Sequence, residues 1–351
     1  MIKRRNTKKI NIGEVEIGGN APISTQSMCS TDTRDVKTTV RQIHELTEAG
    51  CEIIRVAIPD RHGAEAVSQI KKQIKIPLIA DIHFDYRLAI ESIKNGADGL
   101  RINPGNIGKR EFVEKIVDIA KERSIPIRIG VNAGSLEKDL SHSPEDLAEN
   151  LVKSGKRHVE ILEDMDFNLI KVSLKASHVP TMVEAYRKFS EISDYPLHIG
   201  VTEAGTLKSG LIKSSAGIGS LLLDGIGDTI RVSLTENPVE EVHAGWEILK
   251  SLNLRKRGLN LISCPTCGRC NIDLISLAKE VETRFKDIKD PVTIAVMGCP
   301  VNGPGEAKFA DIGVCGTGDE GFIFKNGEIV NKVKYYELVD CLDKHIKAFF
   351  K

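Results

Sequence analysis

The sequence predicts an α/β protein in which an eight-stranded parallel barrel, the TIM (β/α)8 fold, is followed by a small α+β domain. Short β-branched runs alternate with helical segments over about the first 250 residues, and the runs count to eight. A cysteine-bearing segment with a different pattern follows them. We therefore predict a barrel over residues 1–253, a linker over 254–263 and a second domain over 264–351. An open, doubly wound sheet is the alternative, but no G-x-G-x-x-G follows the first strand.

The eight predicted strands are short runs rich in Ile, Val and Leu. In chain order they read ISTQSMC, EIIRVAI, PLIADIHF, GLRINP, PIRIGVNA, LIKVSLKAS, PLHIGVTEAG and TIRVSLTENP. Helices are predicted between them, for example over 109–122 and 179–192. Another helix is expected to start at Ser143-Pro144-Glu145, because proline is favoured in the first helical turn.

The two faces of these strands differ in chemistry, because alternate residues of a strand face opposite sides. One face carries branched apolar residues and suits packing against the helices. The other face carries polar residues on strand after strand, and its cations are Arg55, Arg101, Arg128, Lys171, Lys175 and Arg231. Asn132 and Ser233 share that face. A barrel interior is usually filled with branched apolar side chains, so this pattern needs an explanation.

A polyanionic ligand explains the inward cations. A single buried cation is most often part of a structural ion pair, but the carboxylates Asp81 and Glu203 are too few for six cations. Like charges repel strongly at low dielectric, and the arginine fork matches phosphate oxygens. We interpret the barrel as the site of a small diphosphorylated substrate. The segment Gly210–Thr229, with Lys213, Ser214 and Ser215, is either a further anion-binding loop or a flexible loop before a helix.

The C-terminal segment carries two cysteine motifs, ISCPTCGRC and GCPVNGPGEA. Around them the pattern predicts a helix over about 272–285, a strand PVTIAVMGC, a hairpin turning at Asn326-Gly327 and a last helix over about 335–349. The result is an α+β module of about 90 residues.

The spacing of the cysteines favours an iron–sulfur cluster over zinc. A zinc ribbon needs two Cys-x2-Cys knuckles, and the second motif has a single thiol. Cys264, Cys267 and Cys299 supply three thiolates, which an iron–sulfur cluster accepts at irregular spacing. The residues alone leave the fourth ligand open, and the candidates are Cys270, Cys315 and Glu306. A carboxylate is the weaker ligand for iron held by thiolates and would leave one iron labile.

The overall composition gives no attraction to nucleic acid or membrane. Lys plus Arg and Asp plus Glu both total 49, and no apolar run reaches about 18 residues. We therefore expect neither a nucleic-acid nor a membrane partner, and a cytoplasmic protein with reduced thiols. The basic N-terminus, with Lys3, Arg4, Arg5, Lys8 and Lys9, is predicted to be a solvated tail.

Five motifs together resemble one family. They are SCPTCGR, GCPVNGPGEA, GLIKSSAGIGSLLLDGIGDTIRVSLTENP, RINPGNIG and ADIHFD. They resemble the bacterial two-domain form of the 4-hydroxy-3-methylbut-2-enyl diphosphate synthases, iron–sulfur reductases of the non-mevalonate isoprenoid pathway. The resemblance covers nearly the whole chain. It implies a TIM barrel joined to a cluster domain similar to the sulfite and nitrite reductase fold.

The resemblance also implies the site residues. A [4Fe–4S] cluster is expected on Cys264, Cys267, Cys299 and Glu306, with Cys270 a bystander. The substrate implied is 2-C-methyl-D-erythritol 2,4-cyclodiphosphate, opened and dehydrated by two electrons to 4-hydroxy-3-methylbut-2-enyl diphosphate. The implied diphosphate anchors are Arg55, Arg101, Arg128, Lys171, Lys175, Arg231 and Ser233. Asn132 and Glu203 resemble partners of the carbon skeleton. The candidate catalytic residues are Glu203, which is expected to be buried among the cations, and Glu306.

The expected partners are an electron-donor protein and a second copy of the chain. No flavin or nicotinamide motif is visible, so a flavodoxin or a ferredoxin is the expected electron donor. A homodimer is expected in which the cluster domain of one chain caps the partner's barrel, because the eighth barrel helix returns the chain to the end opposite the mouth. Two other function classes remain: a zinc-containing binding module, and a redox-silent barrel transferase similar to the dihydropteroate synthases.

Overall fold

The computed structural model describes residues 2–137, 139–140, 143, 145–299 and 307–350. The chain divides into two compact units, Met1–Arg255 and Lys256–Lys351, and each has its own hydrophobic core. No helix in these described ranges is long and apolar enough to cross a membrane.

The first unit contains the predicted eight-stranded parallel barrel. Its strands are β3 (Ser24–Met28), β4 (Ile53–Ala57), β5 (Leu78–Asp81), β6 (Gly99–Ile102), β7 (Ile127–Asn132), β8 (Ile170–Lys175), β9 (His198–Ile199) and β10 (Thr229–Ile230). They pair in the order β8-β7-β6-β5-β4-β3-β10-β9. A parallel bridge between Val172 and Leu197 joins β8 to the chain just before β9 and completes the circle. The TIM-barrel prediction is confirmed, and the open sheet is excluded.

Helices surround the barrel. They are α1 (Val36–Ala49), α2 (Arg61–Lys71), α3 (Tyr86–Lys94), α4 (Pro104–Ile107), α5 (Arg110–Arg123), α6 (Leu147–Glu163), α7 (Val179–Ile192), α8 (Leu207–Leu223) and α9 (Pro238–Ser251). Aspartates cap several of them: Asp35, Asp60 and Asp85 each accept a backbone N–H of the first turn. The helix predicted to start near Ser143 begins at Leu147. The apolar strand faces pack against these helices in one continuous core.

An N-terminal hairpin closes the amino end of the barrel. Its strands β1 (Ile10–Ile12) and β2 (Val15–Ile17) are antiparallel, and their isoleucines pack against Ile53 of β4 and Ile79 of β5. The segment before the hairpin is also held. Arg4 forms an ion pair with buried Asp228 (3.0 Å), and Arg5 donates to the Tyr195 carbonyl (2.6 Å). The prediction of a solvated basic tail is wrong here, because these acceptors come from residues about 190 or more positions away.

In its described residues, 256–299 and 307–350, the second unit is a five-stranded sheet with two α-helices. Its strands, paired in chain order, are β11 (Leu259–Ser263), β12 (Val292–Met297), β13 (Ile312–Thr317), β14 (Glu320–Lys325) and β15 (Glu328–Lys334). Strands β11, β12 and β13 are parallel to one another, β14 is antiparallel to β13, and β15 is antiparallel to β14. Helices α10 (Leu274–Phe285) and α11 (Leu338–Phe349) pack on it. The predicted hairpin turns at Asn326 (φ 52°) and Gly327 (φ 84°), as expected for Asn-Gly.

The sequence prediction missed β11 and β13. Strand β11 lies inside the segment predicted as a linker, so the second unit begins at Lys256, well before residue 264. All side chains of β11 are at least partly exposed, which leaves only a weak apolar pattern to recognise.

Candidate functional site

The barrel places five cations on its buried inner face. Arg55, Arg101, Arg128, Lys171 and Lys175 are all buried, and Arg231 is half-buried. The strand register sets them side by side: Asp81 pairs with Arg101, Arg101 with Arg128, and Arg128 with Lys171 on successive strands. The structure therefore brings together the cations that strand parity selected.

Two buried carboxylates partly compensate this charge. Asp81 on β5 contacts Arg101 (3.2 Å) and Arg55 (3.6 Å), and the imidazole of His83 lies 3.6 Å from it. Glu241 on α9 contacts Arg231 (3.2 Å) and accepts the backbone N–H of Leu234. Glu241 was missed, because it lies on a helix and nothing in its local sequence distinguishes it from its neighbour Glu240.

The remaining cations have no such partner. Among the described residues, no carboxylate lies within 4.0 Å of Arg128, Lys171 or Lys175. Lys171 Nζ and two nitrogens of Arg128 are buried without a hydrogen-bond acceptor in that part of the chain. Buried donors are normally satisfied, so these groups are positioned for an anionic ligand.

Two glycines make room for the cations. A side chain at Gly130 of β7 would place its Cβ 2.3 Å from Arg101 Nε, and Arg101 instead donates to the Gly130 carbonyl (3.2 Å). At Gly200, after β9, a Cβ would lie 2.2 Å from the backbone carbonyl oxygen of Arg231 and 3.0 Å from Lys175 Nζ. Gly130 therefore leaves room for a cationic side chain, and Gly200 leaves room first for the neighbouring backbone and then for Lys175.

The electrostatics follow from burial and crowding. Burial lowers the pKa of Arg55 to about 10, an effect that Asp81 partly offsets. Burial and the neighbouring arginines hold the pKa of Arg128, Lys171 and Lys175 well below their ordinary values. For Asp81, burial opposes ionisation, but Arg55, His83 and Arg101 outweigh it and hold its pKa far below the usual range. A bound anion would favour the charged forms of the cations.

Neutral polar groups complete the inner face. When the side-chain amide of Asn132 is oriented so that both its oxygen and its nitrogen have partners, the oxygen accepts from Arg101 Nη2 (3.0 Å). Buried His198 contacts Thr229 through Nδ1 (2.8 Å), and burial and the nearby cations hold its pKa well below the ordinary value. Ser233 is half-buried two positions beyond Arg231. His198 was recognisable from strand parity but was not predicted as a site residue.

Glu203 differs from its prediction. Its side chain is exposed at the carboxyl end of β9, and is not buried among the cations. Its backbone is in the left-handed region (φ 53°), which is uncommon outside glycine and is often found at functional positions. Both interpretations of the segment with Lys213, Ser214 and Ser215, as an anion-binding loop or as a flexible loop, are wrong. These residues lie within α8, with Ser214 buried and the other two exposed.

The second unit gathers cysteines at one edge of its sheet. Cys264 directly follows β11 and Cys299 follows β12, and these strands are parallel, so both lie at carboxyl ends. The backbone N–H of Gly298 donates to Cys264 Sγ (3.2 Å). Such N–H···S bonds stabilise thiolates in iron–sulfur sites.

The other cysteines differ in accessibility. Cys267 is exposed, and hydrogen bonds from the Arg269 backbone and side chain lower its pKa. Cys315 is buried on β13, and burial raises its pKa to about 11, which disfavours the thiolate that a metal needs. Cys270 donates to the Ile272 carbonyl (3.4 Å). Glu306 lies outside the described residues, and no group of three metal-binding side chains is assembled within them.

Comparisons with known proteins identify the family of both units. Residues 7–246 match the family model described as the GcpE TIM-barrel domain, and residues 260–348 match the GcpE protein C-terminal domain. The chain is 58% identical over 340 residues (97% of this chain, 96% of the relative) to a "4-hydroxy-3-methylbut-2-en-1-yl diphosphate synthase (flavodoxin)" of Geobacter sulfurreducens. A protein of the same name from Thermodesulfovibrio yellowstonii is 56% identical over 348 residues, 99% of this chain and 100% of the relative.

Two solved structures show the same fold over 70% of the chain. A dihydropteroate synthase of Yersinia pestis superposes with a TM-score of 0.52 at 13% identity, covering 70% of this chain and 98% of that one. A 3-dehydroquinate dehydratase of Geobacillus kaustophilus does so with a TM-score of 0.50 at 15% identity, covering 70% and 98%. At such low identity the likeness shows the fold and carries no function.

We predict that anion binding takes up protons. The pKa values of Lys171 and Lys175 are lowered in the free protein, so the unfolded chain binds more protons and the free protein loses stability as pH falls. Sulfate, which does not titrate near neutrality, should restore their charged forms. Its stabilising effect on thermal unfolding should therefore grow as pH falls below the ordinary lysine pKa of about 10.4, at constant ionic strength.

Two lysine-to-methionine variants, one inside the barrel and one on a surrounding helix, test this prediction and provide its control. Lys171→Met should abolish much of the pH dependence, whereas Lys188→Met, at an exposed position on α7, should leave it unchanged. A sulfate effect of equal size at every pH, or a pH dependence that is undiminished in Lys171→Met, would contradict the assignment.

Proposed function

The chain belongs to the GcpE family, and we propose that it catalyses the reductive ring opening and dehydration of 2-C-methyl-D-erythritol 2,4-cyclodiphosphate to 4-hydroxy-3-methylbut-2-enyl diphosphate. The reaction consumes two electrons and one proton and releases water. The electron donor is flavodoxin, which the names of the relatives carry. The observation that most directly supports this substrate is the row of buried cations without carboxylate partners.

The diphosphate lies among these cations. Arg128, Lys171 and Lys175 have no carboxylate partner among the described residues and supply the strongest attraction. Arg55 and Arg101 each keep a buried Nε–H without an acceptor there, and Arg231 adds its positive charge. Ser233 adds a hydroxyl. Preorganised cations in a closed, low-dielectric barrel also stabilise the charge that develops on the phosphate oxygen as the ring opens.

The carbon skeleton faces the mouth of the barrel. Asn132, whose amide is oriented by Arg101, lies at the carboxyl end of β7 and can bind a substrate hydroxyl. Glu203 lies at the carboxyl end of β9, and its exposure lets it exchange protons with solvent. We assign Glu203 the role of moving a proton near the departing oxygen.

The cysteines of the second unit suit a [4Fe–4S] cluster. Cys264, Cys267 and Cys299 are soft donors that lie exposed or half-buried, two of them at the ends of adjacent strands. We assign Glu306 as the fourth ligand from the family resemblance. When bound, the cluster supplies the electrons of the reduction. Dependence on reduced thiols agrees with a cytoplasmic location, which we also propose.

The active site is composite, built from two chains. Arg255, the last residue of the barrel unit, is anchored at the amino end of the strands by the Ile23 carbonyl (2.6 Å) and Glu52 (2.9 Å). The chain thus leaves the barrel at the end opposite the mouth. From there, nine residues to Cys264 span at most about 32 Å.

Returning along the barrel wall would use most of that reach, so a chain could cover its own barrel mouth only with these residues nearly fully extended. Helix α9, with 14 residues, covers about 21 Å of the barrel wall, and the rim must then be crossed to reach the axis. Reciprocal exchange in a two-fold dimer, with the cluster unit of each chain over the partner's barrel, removes this requirement.

The activity test uses protein purified without oxygen. With dithionite and the cyclic diphosphate it should form the linear product, and its absorbance should show a broad iron–sulfur band near roughly 400 nm. Arg128→Ala should keep that band while kcat/KM falls about ten- to hundredfold, the effect of losing one hydrogen bond to a charged group. A colourless zinc protein, or a coloured one without turnover, would refute the proposal.

The fourth ligand is tested by exchanging its chemistry. Glu306→Cys should keep the iron content and absorbance, because thiolate is the better ligand, but lose turnover, because that position no longer exchanges. Cys270→Ser is the matched control and should retain both cluster and activity. Loss of iron in Cys270→Ser would instead make Cys270 the fourth ligand, and full turnover of Glu306→Cys would show that lability is unnecessary.

The composite site is tested by mixing inactive variants. Cys264→Ser lacks a good cluster and Arg128→Ala a good barrel, so subunit exchange should create one intact site in each mixed dimer and restore activity. A mixture of Cys264→Ser with Cys299→Ser is the control, because neither chain can supply a cluster. If exchange is verified by mass and the first mixture stays inactive, each chain must close on itself.

A further inference from the structure

Met28 contacts two of the barrel arginines with its sulfur. It is the last residue of β3, which lies between β4 and β10 in the closed barrel. Arg55 Nη2 donates to Met28 Sδ at 2.9 Å, and Arg231 Nη1 lies 3.9 Å from the same sulfur. Strand register sets Met28 directly beside Arg55. One thioether therefore joins guanidinium groups from the strands on both sides.

The two arginines are held on their outer sides by carboxylates. Asp81 contacts Arg55 (3.6 Å), and Glu241 contacts Arg231 (3.2 Å). A continuous row results, from Asp81 through Arg55, Met28 and Arg231 to Glu241. The row has charged acceptors at both ends and an uncharged acceptor at its centre.

The chemistry of the central acceptor decides what the row can bind. A carboxylate there would neutralise positive charge next to the ligand. A hydrocarbon would leave the inner N–H groups of both arginines without an acceptor, and mutual repulsion would move them apart. A thioether is a weak, polarisable acceptor without charge, so it orients the guanidinium groups and leaves their positive charge intact.

We propose that Met28 is a positioning residue that sets the spacing of Arg55 and Arg231 for binding the substrate diphosphate. This inference rests on the proposed function, because it needs the diphosphate to bind among the barrel cations. The role differs from ordinary packing in a specific way. A packing role depends on the volume and apolarity of the side chain, whereas a positioning role depends on an uncharged acceptor atom.

Two replacements separate these roles. Met28→Leu keeps volume and apolarity but removes the acceptor, and Met28→Gln keeps length and supplies an uncharged amide oxygen. The positioning role predicts that Met28→Leu weakens binding of inorganic pyrophosphate and raises KM by about five- to tenfold, with kcat nearly unchanged. Met28→Gln should stay within about twofold of the parent protein. Packing predicts the reverse order, because leucine is the tolerated substitute in a partly buried apolar position.

The measurements are pyrophosphate titration by calorimetry at one pH and steady-state kinetics of the cluster-loaded enzyme. Met182→Leu is the matched control: the same replacement at a fully buried position on α7, expected to leave both quantities unchanged. Thermal unfolding reports whether each variant is folded.

The outcomes distinguish this inference from the proposed function. If Arg128→Ala weakens pyrophosphate binding and Met28→Leu does not, the anion site stands and the role of Met28 is overturned. That role is also overturned if Met28→Gln is the weaker binder of the two Met28 variants. If the parent protein does not bind pyrophosphate, or Arg128→Ala binds it equally well, the diphosphate site itself fails and this inference fails with it.

Discussion

Repulsion between buried cations is the constraint on which the barrel interior depends. Arg101, Arg128 and Lys171 occupy paired positions on three adjacent strands, where water cannot screen them. The protein tolerates this arrangement through Asp81, which contacts two arginines, and burial lowers the pKa of Lys171, which weakens the preference for its charged form. A charge distribution that disfavours the free state becomes favourable when a diphosphate is present, so the site is built for the complex.

The architecture confines this charge to one end of the barrel. Isoleucines of the N-terminal hairpin close the amino end, and Ile53 and Ile79 meet them from the strands. The cations begin above that apolar layer and extend toward the carboxyl ends, where active sites of this fold lie. Gly130 and Gly200 keep the inner wall thin where side chains must cross it. The mouth is therefore the end at which a ligand reaches the cations. Arg255, where the chain leaves the barrel, lies at the opposite end.

The two units divide the chemistry by donor type. The barrel offers hard, cationic nitrogen donors that suit phosphate oxygens, and the second unit offers soft thiolates that suit iron. The cations lie along the barrel strands, whereas Cys264 and Cys299 follow the carboxyl ends of β11 and β12. Keeping the sets on separate units prevents the cations from competing with iron for the thiolates.

The sequence by itself determined the eight strands, the charged inner face and the spacing of Cys264, Cys267 and Cys299, because strand alternation and ligand spacing are local properties. It failed where a residue's environment depends on distant neighbours. Glu203 proved exposed, β11 was hidden in an expected linker, and Arg4 found its partner in Asp228. Only the tertiary structure decided that Glu241 neutralises Arg231 and that Met28 lies between Arg55 and Arg231. The reason is barrel closure, which sets β10 beside β3 and brings side chains about 200 residues apart into contact.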